Sequence, residues 1–336
     1  MTNQRFGILL AVFAVGVLVG PPAAAQGQGS TWTVPRTADG KPDLQGIWAN
    51  NSATPLQRPE QLAGKTVFSD EELAELTQRV NEFRESEQAG DLLGDRLIQQ
   101  ALGNSEFNDF DVITGNYNAF WLVERHLDNR TSLIVDPPGG RIPTLTAGAD
   151  ARVATRRAYA REHPSDGPED RNLGDRCLHF AAPRLSAGYN SYFQILQTPD
   201  HVAILQEMGH ISRVIPLDGR PHLPTVVRQW NGDMRGHWDG DTLVVETTNL
   251  SRTAANAAAT GGDPILLRAS NGRSDDTVTV TERITRVDAD TLNYEFIIED
   301  PTTWTQSIKG EFPMLRLPAE ELLYEYACHE GNYSME

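Results

Sequence analysis

YNSYFQILQTPDHVAILQEMGHISRVIPLDGRPHLPTVVRQWNGDMRGHWDGDTLVVETTNL, residues 189–250, is a chain of short runs in which apolar and polar residues alternate, broken by turn dipeptides. A period of two puts successive side chains on opposite faces of a strand, so the stretch predicts a β-meander. His201, His210, His222 and His237 lie inside it and His179 just before it. Its sharpest local signal is Asp239-Gly240, a favoured two-residue hairpin turn. Pairing outward from it sets Trp238 against Asp241, His237 against Thr242, Gly236 against Leu243, Arg235 against Val244 and Asp233 against Glu246. One face then carries Met234, Trp238, Leu243 and Val245, an apolar core face. The other carries Asp233, Arg235, His237, Thr242 and Glu246, either solvated or lining a polar barrel interior.

Outward from this segment the same grammar continues. DLQGIWAN (43–50) reads as a first barrel strand with Gly46 and Trp48 in a G-x-W arrangement. Residues 118–125 and 131–136 read as strands, as do 277–286 and 291–299 around Asp288-Ala289-Asp290. Residues 304–312 and 322–327 read as the last strands. Helical signals concentrate earlier. Ser69 and Glu72 form a capping box with Phe68 as its hydrophobic staple, and Leu73, Leu76, Val80 and Phe83 recur at helical spacing over 69–87. Weaker helices are expected over 92–102 and over the alanine-rich 150–162. There is no βαβ alternation, no 20–50-residue repeat, no G-x-G-x-x-G, no Walker loop, no H-E-x-x-H and no G-x-S-x-G. The expected fold is therefore mostly β, an antiparallel barrel or closed sandwich with helical decorations towards the N-terminus.

Residues 1–25 read as an export signal: Arg5, a short apolar run over 8–18, and Ala23-Ala24-Ala25 as the cleavage site. Residues 26–336 then form one β-rich domain, periplasmic or secreted, with no membrane attachment once the signal is removed. The net charge of −17 disfavours nucleic acid and anionic membranes as partners. The sequence sets no oligomeric state. The only two cysteines, Cys177 and Cys328, are most simply a disulfide in an oxidising compartment. Two buried thiols or a reactive Cys177 are the alternatives. Their spacing does not suggest a zinc site, and no cofactor is expected.

The residues able to carry chemistry are scattered through the meander. Glu207-Met208-Gly209-His210 has the spacing of an E-x-x-H metal pair, but that pair needs a helix to share a face. On strands the two side chains point apart unless Gly209 makes a bulge or turn. Arg213 lies amid Ile211, Val214 and Ile215, and if buried it requires a carboxylate or a ligand. A Cys177–Cys328 bridge would carry His329 and Glu330 to the mouth of the meander. The candidate catalytic set is Glu207, His210, His237 and His329. Tyr189, Asn190, Arg213, His222, Arg235 and Trp238 are candidate substrate-binding residues.

The segments RTSLIVDPPGGRIP (130–143), DRC (175–177), QTPDHVAILQEMGH (197–210), IPLDGRPH (215–222), GHWDGDTLVVETTN (236–249), DPTTW (300–304) and YEYACHEGN (324–332) together resemble a family of secreted bacterial proteins. The resemblance covers most of the mature chain and implies export. It brings no catalytic roles with it. The G-x-W start and the meander also resemble lipocalin-type barrels, an analogy of fold alone. Two functions follow as expectations. The first is an exported, cofactor-independent enzyme, a lyase, isomerase or hydrolase, acting on a small organic molecule by acid–base chemistry. The second is a non-catalytic barrel that binds an apolar or glycan-like ligand through Trp121, Trp230, Trp238 and Trp304.

Overall fold

The structure, a computed structural model, describes residues 32–84, 126–164, 190–251 and 278–330, with positions 102, 166, 167, 170, 174, 176–178, 183 and 185 between them. The expected export signal, strand 118–125, residue Tyr189 and all but Leu102 of the expected helix 92–102 lie outside the described residues.

Among the described residues ten strands make one sheet: β1 (Gly46–Ala49), β2 (Ile134–Asp136), β3 (Tyr192–Gln197), β4 (His201–Gln206), β5 (Ile211–Pro216), β6 (Asp233–Asp239), β7 (Thr242–Thr248), β8 (Thr279–Arg286), β9 (Thr291–Glu299) and β10 (Ile308–Arg316). The hydrogen-bonded order is β5-β4-β3-β1-β10-β9-β8-β7-β6, with β2 joining β1 on the same edge of β10. Every ladder is antiparallel, and the sheet curls until it nearly closes into a barrel.

Parity decides what happens where the two ends meet. Nine strands, each antiparallel to the next, leave the edges β5 and β6 running in the same direction. The contacts agree: Asn231 lies at Ser212, and further along Gly236 faces Ile215 and Leu217. A Cβ on Gly236 would come within 2.7 Å of each of those two side chains, so glycine is what lets the edges approach. No ladder joins β5 to β6. Because they are parallel, residues 217–232 must return along the length of the barrel as a strap before β6 begins.

The inward series are those that alternation predicts. Val280, Glu282, Ile284 and Arg286 on β8 and Leu292, Tyr294, Phe296 and Ile298 on β9 are all buried, with half-buried residues between them. Phe312 of β10 stacks on Tyr294 with ring centroids 4.7 Å apart. Phe296 pairs with Gly310 and its ring occupies the space a side chain there would need. At the β1 end Trp48 donates its indole N–H to Leu44 O at 2.9 Å. The guanidinium groups of Arg316 and Arg286 lie 4.5 and 5.7 Å from its ring centroid.

Helix α1 (Asp70–Arg84) begins with the expected reciprocal capping box. Ser69 N donates to Glu72 Oε2 at 2.8 Å and Glu72 N to Ser69 Oγ at 3.3 Å. Its Leu76 and Val80 pack with Phe68 and Ala53 in a small separate core. Helix α2 (Ala147–Glu162) starts three residues earlier than 150, because Thr146 caps it through a bond from Ala149 N.

Three expectations are corrected. The hairpin pairs Asp239 with Thr242, so Trp238 meets Leu243, His237 meets Val244, Gly236 meets Val245 and Arg235 meets Glu246. The two-residue loop is Gly240-Asp241, with Gly240 at φ +60°. The register is thus displaced by two residues, which leaves every side chain on its expected face. The strand expected over 304–312 runs instead over Ile308–Arg316, since Asp300–Trp304 forms a turn with Trp304 N bonded to Asp300 O. Residues 322–327 form no strand; the tail is coil, tied down by the Cys177–Cys328 disulfide.

Candidate functional site

The best-defined polar cluster lies where the strap crosses the outer face of β6 and β7. Alternation puts Asp233 and Arg235 of β6 and Glu246 and Thr248 of β7 on that face, and the turn at Asp218-Gly219 delivers His222 onto them. Its Nδ1 is 2.8 Å from Asp233 Oδ2 and 3.1 Å from Thr248 Oγ1, and its Nε2 is 2.9 Å from Glu246 Oε1. Asp233 is buried, and two further donors hold it. Leu223 N donates to Oδ2 at 2.8 Å, Arg235 to Oδ1 at 2.7 Å, and Arg235 also donates to Pro221 O. Burial pushes the Asp233 pKa up, but the Leu223 N–H, His222 and the Arg235 charge outweigh it and hold the carboxyl below its ordinary range. Glu246 is half exposed.

A buried carboxylate that fixes one imidazole nitrogen and leaves the other facing outward is an acid–base arrangement. With Asp233 accepting from Nδ1–H, Nε2 is the nitrogen able to accept a proton on the exposed side. The same ring donates to both carboxylates only when charged.

A second polar locus lies at the barrel rim. Glu207 follows β4 in a helical backbone conformation, and Gly209 (φ +71°) and His210 (φ +41°) then turn the chain into β5. Its carboxyl is buried, and Oε1 accepts the Tyr324 N–H at 3.4 Å. Asn190 hydrogen-bonds it as well. Oε2 is buried with no hydrogen-bond partner. Burial outweighs both hydrogen bonds and raises the Glu207 pKa.

The barrel interior carries a third group. Arg213 reaches from β5 to Glu282 on β8 as a two-pronged pair of 2.6 and 2.9 Å, and Tyr294 OH donates to Glu282 Oε1. The Arg213 and Glu282 side chains are 3% and 0% exposed. Burial alone would lower the Arg213 pKa, but the Glu282 charge lifts it above its ordinary value. Tyr294 is raised by burial and then by the same carboxylate. Arg213 thus finds the carboxylate its burial requires inside the protein.

The expected site residues therefore distribute as follows. His222 and Arg235 come together, with Asp233 and Glu246, and Asn190 comes to Glu207. Arg213 is in the interior, and Trp238 points inward, half-buried against the core. His210 is exposed while Glu207 is buried, so the turn at Gly209 does not bring the E-x-x-H pair onto one face. His237 is exposed on the outside of β6 and His329 is exposed in the tail. The four expected catalytic residues do not converge. The hairpin's polar face points out of the barrel.

Glu282, Tyr294 and Thr248 escaped the sequence reading. Glu282 had a signal, being in step with Val278, Val280 and Ile284 on an inward series. Thr248 had none. Among the described residues no group of three or more His, Cys, Asp or Glu is placed to hold a metal ion, and no helix is long and apolar enough to cross a membrane. Comparison of the chain with family models, with curated proteins and with solved structures finds no match.

Proposed function

We propose that the protein is an exported, cofactor-independent enzyme that acts on a small organic molecule by acid–base chemistry at His222. The observation that carries this reading is the His222 imidazole held between buried Asp233 and half-exposed Glu246. Asp233 and Arg235 orient the ring. Nε2 takes a proton from the substrate, or from water attacking it, when Glu246 has moved aside. Glu246 then accepts a hydrogen bond from the charged ring until the proton is returned. The disulfide and the expected signal segment support export. The strap beside the site exposes Leu223, Val226, Val227 and Trp230, apolar side chains able to hold the carbon frame of a substrate.

The test is a spectrophotometric screen of the purified protein against activated esters, lactones and β-elimination substrates, with His222→Asn as the control. Turnover should fall ~10²–10⁴-fold in the variant, the usual contribution of a general acid–base group, with the far-UV CD spectrum unchanged. A wild-type protein that turns over nothing in the panel, or a variant with full turnover, overturns the reading. The same exposed apolar strap favours a second reading, non-catalytic binding. It requires a reversible fluorescence change, with Trp230 as reporter, on adding a ligand that is recovered unchanged.

A further inference from the structure

The chain on either side of His222 is stiff. Pro221 and Pro224 fix their own φ angles, and Leu223, standing before a proline, is confined to extended conformations. A shift of this backbone therefore moves the imidazole with it. The Leu223 N–H donates to Asp233 Oδ2 at 2.8 Å. The Leu223 carbonyl is held by Asn249, whose Nδ2 donates to Leu223 O at 2.9 Å and to Pro224 O at 3.1 Å. Asn249 O accepts the Gln229 N–H at 3.1 Å, so one residue grips the strap just after His222 and again at Gln229. Asn249 is itself buried. It follows the end of β7, where Thr247 faces inward, and a further extended residue would send its side chain inward as well. Asn249 instead takes the left-handed conformation, φ +53°, which asparagine tolerates better than most residues, and its amide reaches the strap.

The geometry points to Asn249 as a positioning residue for His222: it holds the Leu223 and Pro224 carbonyls so that Nδ1 stays on Asp233 and Nε2 faces outward. That role presupposes His222 as the acid–base group. The end of β7 then meets the strap at three places, with Glu246 at Nε2, Thr248 at Nδ1 and Asn249 at the two carbonyls. The clamp requires a donor. The side-chain amide has two N–H bonds for two carbonyls, whereas a carboxylate in the same place offers them only acceptors.

The experiment is 15N NMR of the His222 ring in the full, disulfide-bonded chain, with Asn249→Gly and Asn249→Asp. Glycine keeps the left-handed backbone and removes the amide, and aspartate keeps the shape and removes the donor. In the wild type, the neutral ring should be the Nδ1–H tautomer that Asp233 selects. Both variants should lose that preference. On any substrate the wild type turns over, their kcat should fall ~10²-fold with KM little changed, the effect of misplacing a reacting group by ~1 Å. Gly310→Ala, a packing change on β10, should lower stability and leave the tautomer as it is. If neither Asn249 variant folds, the wild-type Asn249 side-chain amide decides, because its resonance should follow the His222 titration through the Leu223 peptide. A wild-type ring without the Nδ1–H tautomer, a folded variant that keeps it, or an Asn249 amide silent to the titration overturns the inference. Loss of the tautomer in the variants of a protein that turns over no substrate supports the clamp and overturns the acid–base reading of His222 alone.

Discussion

Replacing Glu282 by leucine should be among the most damaging single changes in the barrel. The pair it forms with Arg213 is sealed in the interior, and the two guanidinium prongs and the Tyr294 hydroxyl all end on one carboxylate. Removing it leaves a buried cation without compensation, for which ~3–5 kcal/mol is the expected loss. The orphaned Tyr294 hydroxyl adds ~1–3 kcal/mol unless it finds another acceptor. Against a total stability of ~5–15 kcal/mol, this removes a large fraction. At ~2 °C per kcal/mol for a domain of this size, the melting temperature should fall by ~8–16 °C. The double variant Arg213→Met/Glu282→Leu removes both charges, and apolar replacements of buried pairs are often neutral or stabilising, so it should recover most of the loss. Equilibrium urea unfolding with the disulfide intact, together with calorimetric melting, measures both. A Glu282→Leu loss below ~1 kcal/mol would show that water or rearrangement reaches the pair. A double variant no better than the single would show that the pair stabilises in its own right rather than merely compensating its own burial.

Other consequences are open to measurement. Gly310→Ala forces a methyl into the Phe296 ring and should cost ~1–3 kcal/mol in the same unfolding assay. Cys177→Ser/Cys328→Ser opens a cross-link between residues 151 apart and should lose ~2–4 kcal/mol, with a melting temperature that no longer responds to reductant. The raised Glu207 pKa contributes stability that is fully present below its ordinary value of 4.5 and is lost as pH rises through the higher folded-state value. Glu207→Gln should flatten that part of the stability–pH curve, and an unchanged slope would remove Glu207 from the account. Asp233 has the opposite sign: its depressed pKa contributes stability present above 3.8 and lost as pH falls through the folded-state value, so Asp233→Asn should be less sensitive to acid.

Much of the fold is legible residue by residue. Met234, Trp238, Leu243 and Val245 share a face by alternation, and they keep it although the hairpin closes one residue later than Asp239-Gly240 suggests. A two-residue displacement conserves parity, so the error in register did not become an error in burial. The Ser69–Glu72 capping box was equally legible because all its partners lie within one turn. The site was less so. His222, Arg235, Asp233 and Glu246 were each visible as polar residues, but alternation says only that three of them share a face. It does not say that a strap would lay His222 across them.

The sequence by itself determined most of the strands and their inward and outward faces, the capped helix and the only possible disulfide. These rest on contacts between near neighbours or, for the cysteines, on having a single partner. The tertiary structure alone decided the rest. An odd number of antiparallel strands left β5 and β6 parallel, which forced residues 217–232 back along the wall and set His222 against Asp233 and Glu246. Curling the sheet brought Arg213 to Glu282, 69 residues away. Pairings of this kind depend on how many strands close the barrel and in which direction each runs, and local periodicity carries no record of either.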